Sequence, residues 1–387
     1  MKLYLGDLHI GYGTTGDDFK HDEKLCNILN EAAAESKELF ILGDFLELYD
    51  RNETNVYGDV REYIRDYDYS IVDEIYSQHK KVFESIQKLS EKKQIKYIIG
   101  NHDYYLLFDE KLRNKVKKII GNVEFFPYYY DEEYMLFLIH GNQFDTTNRF
   151  CYDGENIMPS FGELLLRHMK GNFDDKLCNV LPEELLSDYD NIMPLLDVFE
   201  WLEYTSEKYK LNYDLKDHWV DSFINLIRKD EVKKWLKINF PKYTIFTNLF
   251  VNKFGGMDLG ERIVRTIMFF RKFGSTNGLL KRANGLLKNE FFIPKKYNIG
   301  FSDQDIYFPE EKIKGLIMGH NHMAGYYEIS AYKKKKFYAN TGAWKHVVKK
   351  NSGIDDKEFI RKNIISYLEV FEDKKQIKTK LYLEELY

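Results

Sequence analysis

The sequence predicts an α/β fold, with strands alternating with helices, interrupted by a large helical insertion. Three observations predict it. Over the first 150 residues, short apolar runs of strand length alternate with segments of helical periodicity. From 151 to 305 helical stripes dominate, as at Phe161, Leu164, Leu165, His168 and Met169, spaced i, i+3, i+4, i+7 and i+8. The strand pattern then returns at Leu316–Met318. The expected organisation is a core at 1–150, a helical insertion or cap at 151–305, and the second part of the core at 306–387.

In chain order, Leu3–Leu5 reads as a strand, Asp22–Ser36 as a helix and Leu39–Leu42 as a second strand. Ile64, Ile71, Ile75, Val82, Ile86 and Leu89 mark one helical face between about Val60 and Leu89. Ile95–Ile99 is a third strand, followed by a Lys-rich helix near Asp109–Ile119 and a strand at Tyr134–Ile139. Within the insertion, helices are expected near Leu195–Ser206, Lys216–Ile227 and Leu259–Phe273. Phe337–Ala339 and a hairpin of Ile364–Phe371 with Ile377–Leu383 close the chain.

Composition narrows the class. Apolar residues make up 44% of 387, enough for a sizeable core, and only seven prolines argue against long disordered linkers. The cysteines, Cys26, Cys151 and Cys178, are odd in number and far apart, which argues against a disulfide scaffold or a thiolate zinc site. No apolar run approaches the roughly 18 residues of a membrane span. Cleavage of a leader after ~15–30 residues would remove Asp7 and His9. The expectation is therefore a cytoplasmic protein, with peripheral membrane contact as a variant. A net charge of −5 is neutral on nucleic acid.

Five motifs end the predicted strands: Asp7-x-His9, Gly43-Asp44-x-x-Glu47, Gly100-Asn101-His102-Asp103, His140-Gly141 and Gly319-His320-Asn321-His322. Each has a plainer reading alone. Gly100-Asn101 is ordinary turn chemistry, and a histidine after an apolar strand is commonly a hydrogen-bonded core residue. Together they supply seven candidate ligands at the carboxyl ends of strands, where α/β sheets build their sites. Hydrolysis by two metals needs hard donors around ions ~3.5–4 Å apart, which polarise a phosphoryl group and generate hydroxide near neutral pH. Asp44, which directly follows the second strand, is the carboxylate expected to bridge. Carboxylate and imidazole donors without thiolate suit Mn²⁺, Fe or Zn²⁺, and spacing does not choose among them.

The pattern D-x-H, G-D-x-x-[DE], G-N-H-D, H-G, G-H-x-H resembles the calcineurin-like metallophosphoesterases, over roughly 1–150 and 310–350. That resemblance implies two β-sheets flanked by helices. It implies one metal held by Asp7, His9, Asp44 and His322, and a second by Asp44, Asn101, His140 and His320. It gives His102 the role of general acid and Glu47 that of its acidic partner. Leu48 after Glu47, and G-N-H-D instead of G-N-H-E, set the chain apart from the protein Ser/Thr phosphatases of that superfamily. His140-Gly-Asn-Gln-Phe-Asp145 with Arg149, and Asn340-Thr-Gly-Ala-Trp344, resemble the UDP-2,3-diacylglucosamine pyrophosphatase-like branch.

The implied function is hydrolysis of a phosphate ester or pyrophosphate bond in a small phosphorylated molecule or nucleotide derivative. Two alternatives remain open: a DNA-processing nuclease of the same superfamily, and a non-catalytic binding module that uses the insertion. Residues 261–300 hold nine Lys or Arg against two Glu, with Arg262, Arg265 and Lys272 on one helical side. A solvated face is the plain reading; a nucleic-acid or anionic membrane surface is the sharper one. Arg149 is a candidate for holding a substrate phosphate, with a structural ion pair as its alternative. Asp103 is expected to support its loop, His168 to pack in the insertion, and Lys333–Lys336 to form a hairpin tip.

Overall fold

The computed structural model describes residues 1–13, 19–49, 58–174, 177, 180–189, 191–193, 197–212, 214–239, 276–295, 304–331, 334–351 and 358–386. Its core is the expected one: two β-sheets packed together and flanked by helices. The first sheet is built on four parallel strands, β1 (Lys2–Leu5), β2 (Glu38–Leu42), β3 (Ile95–Ile98) and β4 (Val123–Phe126). The second sheet begins with β5 (Tyr129–Asp131) and β6 (Leu136–Leu138). Two small hairpins follow, β7 (Cys151–Asp153) with β8 (Asn156–Met158), and β9 (Phe291–Ile293) with β10 (Ile306–Phe308). The chain then adds β11 (Gly315–Met318), β12 (Gly325–Ala331) and β13 (Lys334–Asn340) to the second sheet, in the order β12-β13-β11-β6-β5. It finishes on the first sheet with β14 (His346–Lys350), β15 (Phe359–Asp373) and β16 (Gln376–Leu386), where β15 lies antiparallel to β1.

Alternation along the strands explains the layers. Tyr4, Phe40, Leu42, Leu136, Leu138, Ile317, Ala339, Leu368 and Val370 fill the space between the sheets. Their neighbours Leu3, Leu5, Leu39 and Ile41 face the outer helices. Both faces are buried, so these strands read as apolar runs and not as polar alternations. Outside the first sheet lie α1 (Asp22–Ala34), α2 (Ser70–Gln78), α3 (Lys80–Lys92) and α4 (Glu110–Ile120). Asp109 starts α4 by accepting from Lys111 N at 2.8 Å and Leu112 N at 3.2 Å. The periodicity from Val60 to Leu89 is cut where a single helical face was expected. Asp68 Oδ1 accepts from Ser70 N at 2.9 Å where α2 starts, and His79 leaves helical geometry (φ −115, ψ 33) with its Nδ1 2.8 Å from Asp22 Oδ1.

Between β8 and β9 the insertion supplies α5 (Phe161–Met169), α6 (Glu183–Tyr189), α7 (Val198–Lys208), α8 (Leu215–Ile227), α9 (Asp230–Asn239) and α10 (Thr276–Lys288). Trp201, Trp219 and Trp235 are buried here, and Trp219 stacks on Phe223 at 5.3 Å. These helices share one continuous apolar core with those of the first sheet, while α10 covers Phe137, Leu316, Met318 and Tyr338 of the second. His168 packs in the insertion, its Nε2 donating to Ser222 O at 2.8 Å. The expected helix at Leu259–Phe273, with Arg262, Arg265 and Lys272 of the basic stretch, lies outside the described residues, as does Cys178. Among the described residues no helix is long and apolar enough to cross a membrane.

Candidate metal centre

All five motifs converge at the carboxyl ends of parallel strands: β1, β2 and β3 of one sheet, β6 and β11 of the other. The loops are laced by backbone bonds, Asp7 N to Gly43 O at 3.1 Å, His9 N to Asp44 O at 2.9 Å and Gly319 N to His140 O at 3.0 Å. His320 N, from the second sheet, donates to both Asp7 carboxylate oxygens at 3.0 and 2.9 Å. Asp7, His9, Asp44, His320 and His322 all adopt positive φ, between 48° and 72°. This conformation costs non-glycine residues of order 1–3 kcal/mol each and collects at functional sites. The motif glycines have a matching reason. A Cβ on Gly100 would stand 2.2 Å from Asp44 Oδ1, and one on Gly319 2.2 Å from Asp7 Oδ2.

The side chains form three overlapping groups whose donor atoms lie within 4.8 Å of one another: Asp7, His9 and His322; His9, Asp44 and His102; and Asp44, His140 and His320. Together they make a potential binuclear metal-binding site, with Asp44 shared between groups as a bridging carboxylate requires. Atoms left unsatisfied support the fit. His140 donates through Nδ1 to Leu42 O at 2.7 Å, while its buried Nε2 has no hydrogen-bond partner and lies 3.1 Å from Asp44 Oδ2. Asn101 Oδ1 is buried and likewise unpartnered. His9 Nδ1 sits 3.2 Å from Glu47, which turns its Nε2 toward His322 Nε2 at 3.3 Å. Imidazoles held through one nitrogen with the other facing a carboxylate cluster are arranged as metal ligands are.

Electrostatics point the same way. Burial works against charge on His140, but the Asp44 and Asp7 carboxylates push it up to about 10. The two buried carboxylates thus demand a positive charge at this place, which a cation supplies. Burial opposes the Glu47 carboxylate as well, yet His102 and His9 hold it well below its ordinary range. His102 is raised in turn, with Glu47 and then Asp44 outweighing its burial. Its Nδ1 stands 3.0 and 2.9 Å from the Glu47 oxygens, leaving Nε2 on the far side of the ring. The ring is packed by Tyr49 at 4.6 Å and by His9 at 4.5 Å.

Asp103 is buried and supports its loop, accepting from Gly100 N at 2.6 Å, Tyr97 Oη at 2.6 Å and Phe45 N at 3.2 Å. Arg149 turns to the insertion, where Nε and Nη2 donate to Asn239 Oδ1 at 3.2 and 2.9 Å. One residue at the candidate centre, Asp145, was quoted in its segment but given no role of its own in the sequence reading. Asp145 Oδ2 lies 3.2 Å from His320 Nε2 and fixes that ring from behind. Its position five residues after His140 was the available signal, but its turn with Thr147, at 3.0 Å, gives it an ordinary local explanation. No protein-family model matches the chain, and no curated protein matches it. The sandwich and its His/Asp groups are consistent with a metallophosphoesterase-like fold in general.

Proposed function

We propose that this protein is a metal-dependent phosphoesterase that hydrolyses a phosphate ester or pyrophosphate bond in a small phosphorylated molecule. The observation that carries the reading is the convergence of Asp7, His9, His140, His320 and His322 around Asp44, which joins two of the three donor groups. One ion would be held by Asp7, His9, Asp44 and His322, the other by Asp44, Asn101, His140 and His320, with Mn²⁺ the first candidate. Two such ions, when bound, supply Lewis acidity to the phosphoryl group and acidify water to a nucleophile near neutral pH.

The remaining work falls to the chain's own residues. Glu47 orients His102 through Nδ1 and favours its protonated form, so Nε2 carries a proton for the departing oxygen. Asp145 and the Leu42 carbonyl fix the rings of His320 and His140. The segments that suggested a pyrophosphatase-like branch are built into the centre. Asn340 Nδ2 donates to Gly319 O at 2.6 Å, and Asp145 meets His320. This supports small-molecule hydrolysis over the nuclease alternative. The test is a panel with added Mn²⁺: a phosphomonoester, a phosphodiester, a nucleotide-sugar pyrophosphate and single-stranded DNA. Turnover of a small ester or pyrophosphate is expected. Inertness toward all four, with no bound transition metal, contradicts the reading.

A further inference from the structure

The loop that carries His102 is held from the insertion as well as from its own sheet. Within the sandwich, His102 N donates to Asp44 Oδ1 at 2.8 Å, and His102 O accepts from Leu48 N at 3.3 Å. From the insertion, Glu163 Oε1 accepts at 2.8 Å from the hydroxyl of Tyr104, two residues after His102. Arg167, one turn further along α5, donates through Nε to the same oxygen at 3.0 Å and through Nη2 to the Tyr105 hydroxyl. The Glu163 and Arg167 side chains are 0% and 2% exposed.

The contacts continue to the imidazole. The Arg167 guanidinium lies 5.9 Å from the centre of the Tyr49 ring, and Tyr49 packs on His102 at 4.6 Å. The Tyr104 ring approaches Tyr49 at 6.5 Å. Helix α5 is itself fixed at its start. Ser160 Oγ accepts from Glu163 N at 3.1 Å, and Gly162 N donates at 2.9 Å to Thr147 O, on the segment that follows His140. The helix therefore bridges the His140 segment and the His102 loop.

A buried ion pair is weak evidence for stability, because packed apolar side chains of similar volume often do as well. What it adds is direction: a carboxylate shared by a hydroxyl and a guanidinium fixes distances that apolar packing leaves free to slide. Proton transfer needs such fixing, since a misplacement of about 1 Å can cost about a hundredfold in rate. We propose that Glu163, paired with Arg167, is a positioning residue for His102: through Tyr104 and Tyr49 it sets the loop and the ring so that Nε2 faces the departing oxygen. The insertion thereby completes the acid. This rests on the phosphoesterase reading above and adds to it a residue of the insertion.

The central variant is Tyr104→Phe, which removes the hydroxyl and leaves the Glu163–Arg167 pair whole. With Mn²⁺ bound, its kcat on an alkyl phosphate, which has a poor leaving group, should fall about ten- to a hundredfold with KM unchanged. An aryl phosphate with a good leaving group should lose little. In a His102→Gln background the same substitution should cost nothing further, because both act on one step. Glu163→Ala should show the same selectivity, and Leu202→Ala, a truncation buried elsewhere in the insertion, should not. Should Glu163→Ala fail to fold, with Arg167 left uncompensated, Tyr104→Phe decides alone. Wild-type kcat of Tyr104→Phe on the alkyl ester, an equal loss on both esters, or a full further loss in the His102→Gln background overturns the proposal. The second readout needs no turnover. With Zn²⁺ bound, the proton resonance of His102 Nδ1, identified by its loss in His102→Gln, should shift or broaden in Tyr104→Phe. An unmoved resonance overturns the proposal. Wild type that hydrolyses neither ester would retire the phosphoesterase reading, and this resonance would still decide whether Glu163 positions His102.

Discussion

His140 Nε2 stands 3.1 Å from Asp44 Oδ2 and makes no hydrogen bond to it, although both atoms are buried. Two donor atoms at this separation, one imidazole and one carboxylate, are what a shared cation requires. Asp44→Asn keeps the shape and removes the shared charge. It should lower metal content below that of wild type and reduce kcat/KM by about a hundredfold or more. Metal analysis of the purified variant checks this, and retained activity would refute Asp44 as the bridge.

His102 falls in one donor group with His9 and Asp44, so geometry alone leaves it two roles, ligand or acid. Proton donation is the role assigned. His102→Gln should keep full metal content while kcat falls about 10²–10⁴-fold for esters with poor leaving groups. An aryl ester with a good leaving group should suffer less. Loss of a metal equivalent would instead make His102 a ligand.

The pH dependence has a definite sign. His102 is raised above its ordinary value, so its acid form persists above about 6.5 and is lost as pH rises through the raised value. The Glu47 charge is the first cause that opposes burial there. Glu47→Gln should therefore move the descending alkaline limb of kcat to lower pH. A pH profile with that limb unmoved would show that Glu47 does not set the state of His102.

Gly100→Ala places a methyl 2.2 Å from Asp44 Oδ1, against a carboxylate held by His102 N at 2.8 Å. The carboxylate must move. Metal affinity should fall about 10–100-fold, the range for disturbing groups that orient ligands, with an unchanged far-ultraviolet circular dichroism spectrum. Wild-type affinity would show that the loop absorbs the methyl without moving the ligand.

His168 offers a check away from the metals. Burial lowers its pKa and outweighs the hydrogen bond its Nε2 donates to Ser222 O, which favours the charged ring, so the folded chain favours the neutral ring. The unfolded chain binds the proton more readily. The stability contribution is present above about pH 6.5 and is lost as pH falls below it. His168→Gln should lose less stability between pH 8 and pH 5 than wild type in urea titrations. Equal losses would contradict this account of the insertion.

Much of the candidate centre was legible because each candidate ligand follows a strand, and strand ends are marked by local apolar runs. Leu3–Leu5, Leu39–Leu42 and Leu316–Met318 announced Asp7, Asp44 and His320 without knowledge of the fold. The break at His79 was hidden, because the apolar spacing continues across it while the cause, Asp22, lies far away in sequence. Asp145 was given no role for the same reason: its contact with His320 joins segments that only the folded sheets bring together. The left-handed conformations of five candidate ligands have no local sequence mark either, because Asp and His do not signal such turns as glycine does.

Anomalous diffraction from crystals soaked in Mn²⁺ tests the central claim most directly. The account predicts two peaks, ~3.5–4 Å apart, one bounded by Asp7, His9, Asp44 and His322 and the other by Asp44, Asn101, His140 and His320. A single peak, or manganese found only away from these seven residues, would contradict it.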